Sequence, residues 1–193
     1  MNDKFILEDG SVYEGGFTDG LFHGKGKVTF TNGDVYEGET ESFGERVDLP
    51  HGMGKMTYAN GNVYEGETRH GKPHGKGKFI FSYGTVYEGD FVKGKANGKG
   101  KMTTKESVYE GDFKDGVKHG KGKYTDNGCT FEGEFVEGKP TKGKTTYKDG
   151  TVKEGKSKVV IPYCSEILPV EIPKDYKPTH EDEMIRLRYE ICP

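Results

Sequence analysis

An aromatic-Glu-Gly triplet begins at Tyr13, Tyr36, Tyr64, Tyr87, Tyr109 and Phe131, and a degenerate Lys153-Glu-Gly closes the series. The steps are 23, 28, 23, 22, 22 and 22 residues. A Gly-x-Gly element keeps pace at Gly24/Gly26, Gly52/Gly54, Gly75/Gly77, Gly98/Gly100 and Gly120/Gly122, then decays to Gly143 alone. A fixed period of roughly 20–50 residues is the mark of a repeat architecture, in which stacked copies of one small unit share a continuous core. The stretch Gly75–Phe91, GKGKFIFSYGTVYEGDF, shows the unit most plainly. It reads as two extended segments around Ser82-Tyr83-Gly84, the pattern of a β-hairpin. Side chains alternate faces along a strand. Gly75, Gly77, Phe79 and Phe81 therefore share one side, as do Tyr87, Gly89 and Phe91, while Lys76, Lys78, Val86, Glu88 and Asp90 share the other.

Composition fits such an array and excludes other classes. Of 193 residues 31 are Gly, only 31% are hydrophobic and 32% are charged, too polar for a thick two-layer core. Disorder is a common result of such polarity, but 12 Tyr and 11 Phe at regular spacing argue for packed rings. A net charge of −3 lacks the basic excess of a nucleic-acid binder. No apolar run reaches the 18 residues of a membrane helix, and Met1-Asn-Asp-Lys opens no signal-type segment. Cys129, Cys164 and Cys192 are odd in number and widely spaced, so they read as reduced thiols of a cytoplasmic protein.

The quoted triplets and Gly-x-Gly elements resemble the MORN family (membrane occupation and recognition nexus), whose unit runs roughly YEGxFxxGxxHGxGxxxxxxG. The likeness covers about residues 1–155, with six to seven copies and a half-repeat cap at 1–12 built on Phe5-Ile-Leu7. Departures are Thr40 and Thr68 in place of Phe, Asn97 in place of His, Lys105-Glu106-Ser107 without the turn glycine, and the absence of Trp. Thr40 to His51 is five residues longer than its counterparts. The resemblance implies an all-β fold: an elongated, twisted, single-layer antiparallel sheet of tandem hairpins. In such a sheet Gly15, Gly26 and their equivalents leave room for Tyr and Phe rings. Glu14, Glu37, Glu65, Glu88 and Glu110 are expected to alternate with Lys25, Lys55, Lys76, Lys99 and Lys121 on the opposite face.

After the array, Pro162, Pro169 and Pro173 break the apolar residues of an extended tail, 156–178, and exclude a helix there. A short amphipathic helix is expected within 179–193, where Met184, Leu187 and Ile191 fall on one face. These three are expected to dock on the aromatic face or the C-terminal end of the sheet.

The chain offers little chemistry. Gly138–Thr145 and Gly150–Ser157 both fit GxxxxGK[ST], a phosphate loop that must open a helix. Both lie inside the strand-turn-strand pattern, so nucleotide binding is not expected. His23, His51, His74 and His119 occupy one repeat position, spread along an array where metal ligands would have to converge. No catalytic set, metal site or cofactor is expected.

What remains is the aromatic face, with Tyr36, Tyr64, Phe79, Phe81, Tyr87, Phe91, Tyr109, Phe113, Phe131 and Phe135 as candidate partner-binding residues. An uncovered apolar strip marks an interaction site. Its occupant is expected to be an amphipathic helix or extended peptide of a protein partner; a second copy of the chain and the chain's own tail are the alternatives. Cytoskeletal or ciliary assemblies are the setting the family resemblance implies. Binding to acidic phospholipid ranks second, since Lys and Glu are interleaved and membrane attraction needs an excess of basic residues.

Overall fold

In the computed structural model the described residues are 3–18, 21–41 and 50–156. Every regular element among them is a strand: β1 (Asp3–Ile6), β2 (Val12–Thr18), β3 (Leu21–Thr29), β4 (Val35–Glu41), β5 (Pro50–Thr57), β6 (Val63–Arg69), β7 (Lys72–Ile80), β8 (Val86–Val92), β9 (Lys95–Thr103), β10 (Ser107–Lys114), β11 (Val117–Asp126), β12 (Cys129–Val136), β13 (Lys139–Thr146) and β14 (Val152–Lys156). They form one 14-stranded antiparallel sheet whose spatial order is the chain order. At roughly 4.8 Å per strand the sheet is about 60 Å long, so it is elongated. The expected tail and helix, with Met184, Leu187 and Ile191, lie outside the described residues, as do Cys164, Cys192 and the middle of the Thr40–His51 insertion.

Two kinds of turn alternate up to β11, after which Asn127-Gly128 puts a two-residue turn where a three-residue one would fall. Three-residue turns ending in Gly10, Gly33, Gly61, Gly84 and Gly150, each with φ between 82° and 96°, close five of the hairpins. The intervening connections are two-residue turns, His70-Gly71, Lys93-Gly94, Asp115-Gly116 and Glu137-Gly138, with positive φ at both positions. That is the type I′ geometry whose twist matches paired strands. The turn without glycine is stabilised differently: the Thr104 hydroxyl accepts the amides of Glu106 (3.3 Å) and Ser107 (2.9 Å).

Hydrogen bonds between units hold the stack together. The amides of Gly71, Gly94, Gly116 and Gly138 donate to the carbonyls of Pro50, Pro73, Ala96 and Lys118, one unit back, at 2.9–3.0 Å. At the other margin the Asp34 carboxylate accepts the Ala59 amide (2.8 Å), and the Asn62 amide oxygen accepts that of Ser82 (2.9 Å).

The register sorts the residue types into rows that run across the strands. Glycine opposes glycine without a break from Gly15 through Gly26, Gly38 and Gly54 to Gly143 and Gly155. On one side of that line and one face, Tyr13, Val28, Tyr36, Met56, Tyr64, Phe79, Tyr87, Met102, Tyr109, Tyr124 and Phe131 follow one another across the strands. All of them are buried. The core of this single sheet is therefore its own aromatic face.

Candidate functional site

Each tyrosine of the triplet folds back across the glycine line. Its hydroxyl donates to the carbonyl three residues on: Tyr13 to Gly16 (2.9 Å), Tyr36 to Glu39 (2.7 Å), Tyr64 to Glu67 (2.5 Å), Tyr87 to Asp90 (3.0 Å) and Tyr109 to Asp112 (2.9 Å). The ring then lies on two paired glycines. A Cβ on Gly100 would stand 2.5 Å from the Tyr87 Oη and 2.6 Å from its Cε2. Glycine is required here by close approach of a ring.

The first glycine of each Gly-x-Gly has a different task. Gly52, Gly75, Gly98 and Gly120 have φ of 57° to 83°, and the amide that follows each is received by a carboxylate. Glu39 accepts from Met53 (2.9 Å), Glu67 from Lys76, Asp90 from Lys99 and Asp112 from Lys121 (each 3.0 Å). Strict alternation, which gave Gly75 and Gly77 one role, missed this acid-capped irregularity. The signal lay in the acid that follows every aromatic-Glu-Gly triplet but the first.

From the third unit on, the rings form a continuous edge-to-face chain. Tyr64–Phe91, Phe91–Tyr87, Tyr87–Phe113, Phe113–Tyr109, Tyr109–Phe135 and Phe135–Phe131 have centroids 4.8–5.3 Å apart and planes at 80–88°. That is a favoured geometry for aromatic quadrupoles. Where Thr replaces Phe, a hydroxyl replaces the ring edge. Thr40 Oγ1 lies 3.2 Å from Tyr13 Oη and donates to the Gly24 carbonyl (3.0 Å). Thr68 repeats this with Tyr36 (3.3 Å) and Gly52 (3.0 Å).

This packing corrects the expectation of an uncovered strip. Tyr36, Tyr64, Phe79, Phe81, Tyr87, Phe91, Tyr109, Phe113, Phe131 and Phe135 are all between 0 and 4% exposed. Rings laid flat on glycine backbone, with their edges against other rings, cover one another. A partner placed on them as they stand would touch almost none of their surface.

Lys118 is a site that sequence reasoning passed over. It takes the place held by Phe22, Pro50, Pro73, Ala96 and Pro140 in other units, and it is buried. Its ammonium stands over two ring faces, 5.1 Å from the Tyr109 centroid and 4.8 Å from that of Tyr124. Burial pushes its pKa down to about 8, while the ring faces favour the cation. The one legible hint was a charged residue at a position otherwise apolar.

The opposite face is open and charged. Lys4, Glu14, Lys27, Glu37, Lys55, Glu65, Lys78, Glu88, Lys101, Glu110, Lys123, Glu132, Lys144 and Glu154 face one another in turn across successive strands. Ion pairs join Lys27–Glu37 (3.4 Å), Lys55–Glu65 (3.3 Å), Lys78–Glu88 and Lys123–Glu132 (both 2.8 Å). The glutamate partners are thus Lys27, Lys55, Lys78, Lys101 and Lys123; of the expected set only Lys55 holds. Lys76 and Lys99 belong to a second ladder beyond the glycine line, pairing with Asp90 and Asp112. Their hydrogen bonds hold both aspartates below the usual carboxylate range.

Between the two ladders lies a trough of about 960 Å³ from β7 to β13. Six glycines, Gly89, Gly100, Gly111, Gly122, Gly133 and Gly143, line its floor. Lys76, Lys99, Lys101, Lys121, Lys123 and Lys142, with Glu88, Glu110, Glu132 and Glu134, form its walls.

Gly138–Thr145 runs from the turn glycine Gly138 into strand β13, so it does not open the helix that motif needs; Gly150–Lys156 is a turn followed by strand β14, and Ser157, which ends the second string, lies outside the described residues. His51 lies 3.4 Å from Glu41 and 6.2 Å, ring to ring, from His70. Among the described residues no three His, Cys, Asp or Glu are grouped to hold a metal, and no helix is long and apolar enough to cross a membrane.

The MORN repeat family matches at residues 13–35, 48–63, 64–86, 87–105, 109–130 and 131–152. The chain belongs to the MORN-repeat family. Sequence comparison with curated proteins gives no match. Among solved structures the chain is similar to the TCP domain of SAS-4 (dCPAP) of Drosophila melanogaster, solved in complex with a proline-rich motif of Ana2 (dSTIL). That likeness has a TM-score of 0.45 and 12% identity, over 80% of this chain and 90% of that one. It is also similar to a mutant TCP10 domain of Danio rerio CPAP, with a TM-score of 0.25 and 18% identity, over 80% of this chain and 99% of that one. At these values the structural likeness carries no functional weight.

Proposed function

We propose that this protein is a non-catalytic scaffold that binds a segment of a protein partner in the charged trough, with the aromatic face serving as the core that holds the trough's shape. The observation that carries the reading is the trough: a floor of bare backbone, whose glycines are turned toward the aromatic rings of the other face, walled by ladders of alternating sign. Charge alternates at roughly 4.8 Å from strand to strand. One turn of an α-helix rises about 5.4 Å. A partner helix with opposite charges one turn apart keeps pace with the ladder over several strands. Matched charges of this kind give specificity and register more than raw affinity.

The ten aromatic candidates enter this reading as supports for the trough. A cytoskeletal or ciliary assembly is part of the proposal and rests on the family resemblance; immunolocalisation tests it. Attraction to acidic phospholipid asks for an excess of positive charge, and six lysines against four glutamates leave the trough close to balance.

The test is site-specific photo-crosslinking in native extract. A photoreactive residue at Lys121, on the trough, should capture a protein, and capture should fall as salt is raised. The same residue at Asn60, in a turn at the sheet's margin, should not. Flotation with phosphoinositide vesicles, or equal capture from both positions, would contradict the reading.

A further inference from the structure

The sheet has two open margins among the described residues. β1 and β14 each pair on one side only. At one margin Ile6 is 77% exposed, and at the other Val152 is 47% exposed. Inside the sheet the same row holds Ile80 against Val86, both half-buried. The margins thus carry an unfinished version of a contact that the interior completes.

Direction and charge both fit a junction between them. Fourteen strands alternate in direction, so β14 runs opposite to β1. The β1 of a second copy can therefore lie on β14 as the next antiparallel strand. In the register used throughout the sheet, Val152 then faces Ile6, Glu154 faces Lys4 and Gly155 faces Asp3. The Lys/Glu ladder begins on Lys4 and ends on Glu154, so its alternation passes across the junction unbroken. Pairing β14 with its own copy, centred on Glu154, would instead set glutamate against glutamate, which destabilises a cross-strand pair.

We propose that these margins recognise each other, β14 of one copy docking on β1 of the next in a head-to-tail contact that continues the sheet. A contact of this kind joins different surfaces and does not close on two copies, so it builds rods or rings. Both margin strands are short, and edge lysines discourage indiscriminate pairing. Association is accordingly weak and set by local concentration. The surface is separate from the trough, so partner binding and self-assembly stand or fall independently.

Sedimentation velocity of the full chain over a wide concentration range tests this. Species should grow beyond two copies as concentration rises. Lys4→Glu and Glu154→Lys should each weaken association by roughly fivefold, the scale of one cross-strand charge reversal. An equal mixture of the two variants should assemble again, because every junction in an alternating chain then joins opposite charges. A folding defect is not repaired by mixing. The doubly swapped chain, K4E with E154K, should also self-associate. A full chain that stays monomeric at every concentration, a dimer that does not grow, or swapped charges that restore nothing in either arrangement would overturn the proposal.

Discussion

At the scale of single residues, the controlling feature is a tyrosine laid on glycine. Gly100→Ala places a methyl group against the Tyr87 ring and should destabilise the fold by about 1–3 kcal/mol, read as a lower urea midpoint. The buried phenols also make a pH signature. Burial raises the pKa of Tyr36, Tyr64, Tyr87 and Tyr109 above that of free tyrosine. Neutral phenol is then favoured in the folded state, and its contribution is complete below pH 10 and lost as pH rises further. Absorbance titration at 295 nm should show tyrosines that ionise only as the protein unfolds. Lys118 has the opposite sign. Its folded pKa of about 8 lies below the ordinary 10.5, so the unfolded chain binds more protons between these values and stability rises with pH across them. A shift of this size corresponds to roughly 3 kcal/mol between the charged and neutral forms. Lys118→Met should therefore stabilise the protein at pH 7 and abolish the rise above pH 8. Thermal midpoints across pH 7–10 decide it.

At the scale of the hairpin, each unit repeats one register, so an entire unit is dispensable. Removing residues 87–108 joins Val86 to Tyr109 and leaves each remaining tyrosine on a glycine pair. The shortened protein should stay folded, with a lower urea midpoint, because it loses one set of nearest-neighbour contacts. A chain that fails to fold would mean that the units are not equivalent. The threonine units make a finer case. Thr68→Val keeps the shape but leaves the Gly52 carbonyl without its hydroxyl donor, at a cost of about 1–2 kcal/mol in the same assay. Much of this element was legible in the sequence. The period located every triplet, the alternation separated aromatic from charged faces, and the turn glycines marked the hairpins. What stayed hidden was depth. Alternation says that Tyr87 and Phe91 share a side, but not that they meet edge to face and cover each other. It also put Lys76 in the ladder of Glu88, because alternation gives a residue's face but not its register: Gly77 faces Gly89, which sets Lys78 against Glu88 and Lys76 against Asp90. Lys118 stood in plain view, but only packing shows that its ammonium rests between two rings.

At the scale of the whole molecule, one sheet does the work usually shared by two layers. The aromatic face shields itself, which releases the charged face to form the trough. Hydroxyl-radical footprinting of the free protein tests this division of labour. Tyr83, 55% exposed, and Phe17, 44% exposed, should label readily. Tyr87, Phe91, Tyr109, Phe113 and Phe135, each under 5% exposed, should stay protected until urea unfolds the array. Labelling of those five at rates near that of Tyr83 under native conditions would contradict the account, because the rings would then be an open surface and not a core.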